Sequence, residues 1–279
     1  MTVILLTALV LLGLCMGSFV EALTWRLHEQ AARQEQGKKP DPKLSMSKGR
    51  SMCPNCHHVL GFWDLLPVIS WLSLKGRCRY CHKPYGWHSP VIELTTAGLF
   101  LLSYFYWPYG FTTSGWVQFG LWLAILVCFV ALTLYDLRWL ILPNRLVYAL
   151  IAVVGGQVAY LAITQKDPHL VWGALLGVAC LAGLFYLLFQ VSDGRWIGGG
   201  DVKLAIALGL LVGGPLKAIL VLFFASIIGL LVSLPPLIKR KQSLNSKVPF
   251  GPFLIAATII VYLFGSSLVT WYTRLLLHG

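Results

Sequence analysis

The sequence predicts an all-α polytopic membrane protein of about eight transmembrane helices, with a small cytoplasmic metal-binding insert between the first and second. Three observations lead there. Only 11% of the 279 residues are charged and 57% are hydrophobic, whereas a soluble domain of this size carries about 25% charged residues. Apolar runs recur along the chain at lengths that suit a bilayer. The basic residues are placed unevenly between those runs.

The runs are Val3–Val20, Val91–Trp107, Trp116–Tyr135, Leu146–Ile163, Val171–Val191, Leu216–Ile238 and Phe250–Tyr272. Each approaches the ~20 residues that cross a bilayer as a helix. An eighth, Leu204–Gly214, is short. At ~1.5 Å per residue it covers about half the hydrocarbon thickness, so it must borrow flanking residues, thin the bilayer or line a cavity. The first run lacks a basic leader and a small-residue cleavage site, and reads as a retained span.

The net charge is +12. With the N-terminus outside and eight crossings, segments 22–90, 136–146, 192–203 and 239–249 lie inside and hold 19 of the 22 Lys and Arg residues. Lys166, Lys217 and Arg274 remain outside. This asymmetry follows the positive-inside rule and assigns the charge to orientation and anionic lipid. Nothing suggests a nucleic-acid interface, which would need a basic patch carrying groove-reading or stacking elements.

Three parts follow: a first helix over 1–23, a polar insert over 24–89 and a membrane region over 90–279. Within the insert, Gln30–Arg50 reads as a mobile loop or weak helix. The remainder, Ser51–Pro90, is more compact in pattern. No internal repeat of fixed period stands out.

Cys53-Pro-Asn-Cys56 and Cys78-Arg-Tyr-Cys81 form two C-x-x-C pairs with 21 residues between them. Each such turn brings two sulfurs within reach of one ion, and the intervening chain can fold back to join the pairs. Zinc suits a closed four-thiolate site, and iron is the alternative. The inner side is reducing, which disfavours disulfides. An insert with so little core would fold on its metal. His57, His58 and His82 are read as bystanders. Cys15, Cys128 and Cys180, inside apolar runs, are expected to be buried inert thiols.

Asp136 closes the third run in "LTLYDLRWLILPN", and Asp201 opens the short run in "GGGDVKLAIALG". The topology puts both at the inner membrane edge, on the side of the insert. A carboxylate at the centre of a span costs roughly 2.5–3.5 kcal/mol and less near the edge, so either aspartate alone also reads as a solvated interfacial residue. Gly198-Gly199-Gly200 permits a sharp turn and close approach, and Pro143-Asn144 restarts the chain after Asp136. Two carboxylates brought close cannot both ionise cheaply, so one keeps a proton while the other activates water. Lys203 either steadies this site or meets lipid phosphate.

These stretches resemble the type IV prepilin peptidases. "GGGDVKLAIALG" is similar to that family's GxGDxK signature through Gly198, Gly200, Asp201 and Lys203. "YDLRWLILPN" is similar to its second aspartate motif, with Asp136, Pro143 and Asn144. "GSFVEALTWRL", the cysteine-rich insert through "SPVIEL", and "VPFGPFLIA" at 248–256 resemble further blocks of the family, in order along nearly the whole chain.

The resemblance implies an inner-membrane enzyme with two activities. It would cleave the basic leader of prepilins or type II secretion pseudopilins on the cytoplasmic side, after a glycine. It would then methylate the new N-terminus with S-adenosylmethionine. On that resemblance Asp136 and Asp201 are the proteolytic pair, and Cys53, Cys56, Cys78 and Cys81 hold a structural metal. Glu21 and His28 depart from the family's usual asparagine and proline, which bears on methyl transfer.

For that second activity Glu21 and Glu93 are the remaining acids flanking the insert, and no glycine-rich nucleotide loop is visible. The alternatives are a peptidase without methyl transfer and, more remotely, a scaffold or transporter with a metal knuckle. The latter would need inverted repeats that the sequence does not show.

Overall fold

A computed structural model describes residues 2–46, 49–238 and 248–278. The described residues are nearly all helical, with only isolated β-bridges and no sheet. The helices are α1 (Thr2–Glu35), α2 (Ile69–Ser73), α3 (His88–Phe105), α4 (Thr113–Trp139), α5 (Asn144–Gln165), α6 (His169–Val191), α7 (Gly199–Val212), α8 (Pro215–Ile238) and α9 (Gly251–His278). Short 3-10 turns cover Pro42–Leu44 and Phe62–Asp64.

Every expected run is helical, but the count of eight spans is not reached. Six helices among the described residues are long and apolar enough to cross a membrane: α1, α4, α5, α6, α8 and α9. Helix α3 has 18 residues, diluted by His88, Ser89, Pro90 and Glu93. Helix α7 has 14 residues, a rise of about 21 Å. The basic stretch 239–247, counted above as an inner loop, lies outside the described residues.

The chain forms two compact units, residues 1–105 and 106–279. In the first, α1 and α3 pack side by side and antiparallel. A Cβ at Gly13 would come 2.5 Å from the Ala97 Cα, and one at Gly17 would come 2.6 Å from the Glu93 Cα. The small-x-x-x-small spacing lets these backbones touch, as helices without a hydrophobic drive between them require.

Helix α1 runs on through Glu35, so the first residues of the stretch 30–50 take the helical alternative and the described remainder is loop. The loop beyond it is tied down. Arg26, 4% exposed, donates to the carbonyls of Ser45 at 3.2 Å and Gly49 at 2.6 Å. Gln30 donates to the Asp41 carbonyl at 2.8 Å. A polar sequence reads as mobile when its hydrogen-bond partners lie on a neighbouring helix that the local pattern does not reveal.

In the second unit α7 packs against α5, α6 and α9. Leu204, Ala205, Ala207 and Leu208 on it are fully buried. Its shortness is thus met by enclosure among longer helices. Gly209 makes that possible, because a Cβ there would lie 2.7 Å from the Gly177 carbonyl oxygen on α6. Farther along, the Trp122 ring of α4 stacks on Tyr262 of α9 at 4.1 Å, and Gln157 of α5 donates to the Tyr262 hydroxyl at 2.7 Å.

The three membrane cysteines are not buried as expected: Cys15 is exposed, and Cys128 and Cys180 are half-buried. Their apolar surroundings in sequence are lipid-facing helix surface as well as core.

Candidate catalytic site and metal centre

Asp136 lies in the last turn of α4, 5% exposed. The helix stops four residues later, where Leu140 adopts a left-handed conformation (φ 56°) and its N–H reaches back to the Asp136 carbonyl at 2.9 Å. Pro143 then caps α5, its carbonyl accepting from the N–H groups of Leu146 and Val147. Asp201 lies in the first turn of α7 behind its cap Gly198, whose backbone N–H bonds the carboxylate.

The structure puts Asp201 within electrostatic reach of Asp136. The start of α9 joins them. The N–H of Gly251 donates to Asp136. The position leaves no room for a side chain, because a Cβ there would come 2.6 Å from the Asp136 Oδ2. Leu142 lies beside both glycines, near enough to meet a Cβ at Gly200 (3.0 Å) or Gly251 (3.7 Å). Phe250, just before α9, stacks on Phe185 of α6 at 6.1 Å. Both carboxylates thus meet the N-terminal end of a helix, where unpaired N–H groups and the helix dipole favour negative charge.

Lys203 does not enter the pair. Its ammonium donates to the Asn144 Oδ1 at 2.9 Å, linking α7 to the first residue of α5. Gly251 is the site residue that the sequence reading left without a role. Its signal was the Phe-Gly-Pro opening of the last apolar run.

In the first unit the four sulfurs of Cys53, Cys56, Cys78 and Cys81 all lie within 4.8 Å of one another. Cys53 and Cys81 are 3.8 Å apart. Bonds of about 2.3 Å from a tetrahedral zinc give sulfur–sulfur edges of about 3.8 Å, so the cage fits that ion. Burial would push the Cys53 thiol up, but the facing Tyr85 hydroxyl and the N–H groups of Cys56 and Asn55 bring it down to about 6. Cys81 is pushed up to about 11: the Lys83 N–H is outweighed by desolvation and the facing sulfurs. Thiols that spread one charge this way would all ionise around a cation.

The cage has an internal symmetry that the sequence reading missed. Cys53 and Cys56 recur 25 positions later as Cys78 and Cys81. The N–H of Cys53 bonds the His58 carbonyl, and that of Cys78 bonds the Lys83 carbonyl. Bridges pair Met52 with Val59 and Arg77 with Pro84. His57 and His82 occupy equivalent left-handed positions, both with φ 55°. These histidines therefore shape the turns, and the four sulfurs by themselves make a complete tetrahedral set. Asp64 ties in the second knuckle. Burial would raise its carboxyl, but bonds from Arg79 (2.7 Å), the Gly61 N–H (3.1 Å) and Tyr80 (3.1 Å) hold it below the usual range.

Glu21 and Glu93 lie close enough to interact at the base of the insert. Glu21 pairs with His88 at 3.0 Å and accepts from the Ser89 hydroxyl. Glu93, 4% exposed, accepts from the Val68 N–H at 2.7 Å and from Ser18. The insert's buried arginine, Arg26, goes to backbone carbonyls instead.

Two family models match the chain in succession. The bacterial peptidase A24 N-terminal domain covers residues 11–107, and the type IV leader peptidase family covers 122–234. The chain is 31% identical over 276 residues to the prepilin leader peptidase/N-methyltransferase of Pseudomonas aeruginosa, covering 95% of this chain and 92% of that one.

The chain belongs to the type IV leader peptidase family.

A protein of the same name from Xanthomonas campestris is 33% identical over 94% of this chain and 92% of its own length. The type 4 prepilin-like proteins leader peptide-processing enzyme of Escherichia coli is 34% identical over 87% of each. No solved structure matches the chain. Family membership and the six apolar helices together make this a multi-pass inner-membrane protein.

Proposed function

We propose that this chain is a bifunctional enzyme. Residues 90–279 form an aspartic endopeptidase that removes the leader of type IV prepilins or type II secretion pseudopilins after glycine, on the cytoplasmic face. Residues 24–89 form a zinc-stabilised insert that serves N-methylation of the new terminus. The N-terminus is periplasmic. One observation carries the peptidase reading: Asp136 and Asp201, 65 positions apart in the chain, lie within electrostatic reach of each other at the ends of helices, each with a backbone N–H turned toward it.

The pair works as a unit. One carboxylate takes a proton from a water as it attacks the scissile carbonyl. The other, protonated, donates to the carbonyl oxygen, and a proton then passes to the leaving amine. The roles belong to the coupled pair, whose protons come off in shared steps. Gly198 and Gly251 hold the carboxylates in place through their N–H groups. A helical substrate must unwind to be cut, and at Gly198 only the Asp201 carboxylate and the Gly200 N–H come within 4 Å of where a side chain would stand.

For methyl transfer, S-adenosylmethionine when bound supplies the methyl group from a sulfonium cation. Glu21 and Glu93, two interacting carboxylates at the base of the insert, fit a positive charge and are the residues that would hold it.

One measurement tests both activities: the mass of the N-terminus of a coexpressed prepilin. Leader loss together with one added methyl is expected. An intact leader removes the peptidase reading, and a trimmed but unmethylated terminus removes the transferase half.

A further inference from the structure

Val68 adopts φ 60° and ψ −47°, with the Ile69 N–H bonded to the Pro67 carbonyl at 2.5 Å. This is a γ-turn of the rare, strained kind, on a β-branched residue for which positive φ is a true outlier. Such a turn persists only when its surroundings fix it. Here Glu93 does so by accepting the Val68 N–H.

That bond also sets a depth. Glu93 stands against Gly17, and Gly17 lies inside the apolar run Val3–Val20 of α1. It sits three residues from the end of that run, about 4.5 Å along the axis. On α3, Glu93 is five residues beyond His88, about 7.5 Å farther in. The insert therefore does not simply stand above α1 and α3. Its Pro67–Ile69 turn is drawn down to the level of their apolar portion. An unpaired N–H at that depth is heavily penalised, which gives the Glu93 acceptor a physical reason.

The surface around the turn matches this depth. Phe62 (72% exposed), Trp63 (70%), Ile69 (61%), Leu72 (62%) and Trp87 (73%) present their side chains outward. They sit on neighbouring segments: α2 packs beside the 62–64 turn, and Trp71 of α2 rests on Trp87 with ring centres 4.3 Å apart. Five large apolar side chains this exposed on neighbouring segments are more than the scattered single ones of an ordinary aqueous surface. Its charged neighbours are basic. Residues 51–87 hold Lys75, Arg77, Arg79 and Lys83 against one acid, Asp64, which Arg79 already bonds. Tryptophan with flanking cations is the composition of a segment lying in a headgroup layer.

We propose that residues 62–73, with Trp87, form an interfacial membrane element: the insert lies partly in the anionic headgroup region beside α1 and α3, anchored there by the Glu93–Val68 bond. The metal knuckles stand above it in water. This goes beyond either enzymatic activity and depends on neither.

The full-length protein, carrying the photo-crosslinker p-benzoylphenylalanine in place of Leu72, is reconstituted in vesicles of phosphatidylethanolamine and phosphatidylglycerol. A second variant carries it in place of Phe62. A control carries it in place of Lys38, an exposed residue beyond the end of α1. After irradiation, mass spectrometry should find lipid adducts several-fold more often at 62 and 72 than at 38. Phosphatidylglycerol should be over-represented relative to its share of the vesicle. Unchanged metal content shows that each variant is folded. Lipid adducts at 62 and 72 no more frequent than at 38, or adducts there to residues 106–279 or to another protein, overturn the membrane assignment. Adducts in simple proportion to lipid composition overturn its anionic part.

Discussion

At the scale of single residues, the aspartates and their glycine neighbours carry the sharpest expectations. Asp136→Asn and Asp201→Asn each remove a group that must give or take a proton. Leader cleavage should fall by on the order of 10²–10⁴-fold or more in each, read by the mass of a coexpressed prepilin, with both proteins still in the membrane. Cleavage at the parent rate in either would end the paired-carboxylate mechanism. Gly251→Ala tests the same site without touching a titratable group. Its new Cβ would come 2.6 Å from the Asp136 Oδ2, and the carboxylate must move away. A displacement of about 1 Å costs about 10²-fold in a positioned reaction. Initial rates of cleavage measure it, and unaltered rates would mean that the Gly251 position does not govern Asp136. Glu93→Gln removes the negative charge held for the methyl donor. The fraction of mature prepilin N-termini bearing a methyl should fall, and an unchanged fraction would take Glu93 out of that role.

At the scale of elements, the glycines decide how close helices come. Gly209 on α7 lies against the Gly177 carbonyl of α6. Gly209→Val would wedge the two helices apart, at about 1–3 kcal/mol of stability as overpacking usually costs. Thermal unfolding in detergent should show the loss. Asp201 rides on α7, so cleavage should weaken as well, and an unchanged melting temperature would contradict the close packing. Helix α7 also shows why an apolar run shorter than a bilayer is tolerated. Its neighbours α5, α6 and α9 shield it.

For the whole molecule, the metal cage joins chain segments that have little core between them. Cys53 and Cys78 are fully buried, while Phe62, Trp63 and Trp87 elsewhere in the insert are exposed. Burial of apolar surface therefore contributes little here, and the ion must supply most of the folding energy, on the order of 10–16 kcal/mol for structural zinc in small fingers. Stripping it with a chelator should raise amide hydrogen exchange across residues 51–87 while α4–α9 keep their protection. Acidification should release the ion as the thiolates protonate, followed with a zinc-sensitive dye. An insert whose exchange is indifferent to chelation would not be metal-folded.

The sequence by itself determined the helical membrane class, the two cysteine pairs and the two aspartates. Each is written locally: apolar run length fixes a helix, C-x-x-C spacing fixes a chelating turn, and a carboxylate beside glycine at a run's edge is conspicuous against apolar neighbours. Only the tertiary structure decided that Gly251 bonds Asp136, that Lys203 turns to Asn144, and that Glu93 accepts the Val68 N–H. It also decided that the two knuckles repeat each other, although their residues between the cysteines differ. In each of these the partner lies far away in the chain, and in all but the Lys203–Asn144 bond it is a backbone group or a shape. Backbone N–H groups and carbonyls are the same at nearly every position, so sequence cannot mark which of them a side chain will meet.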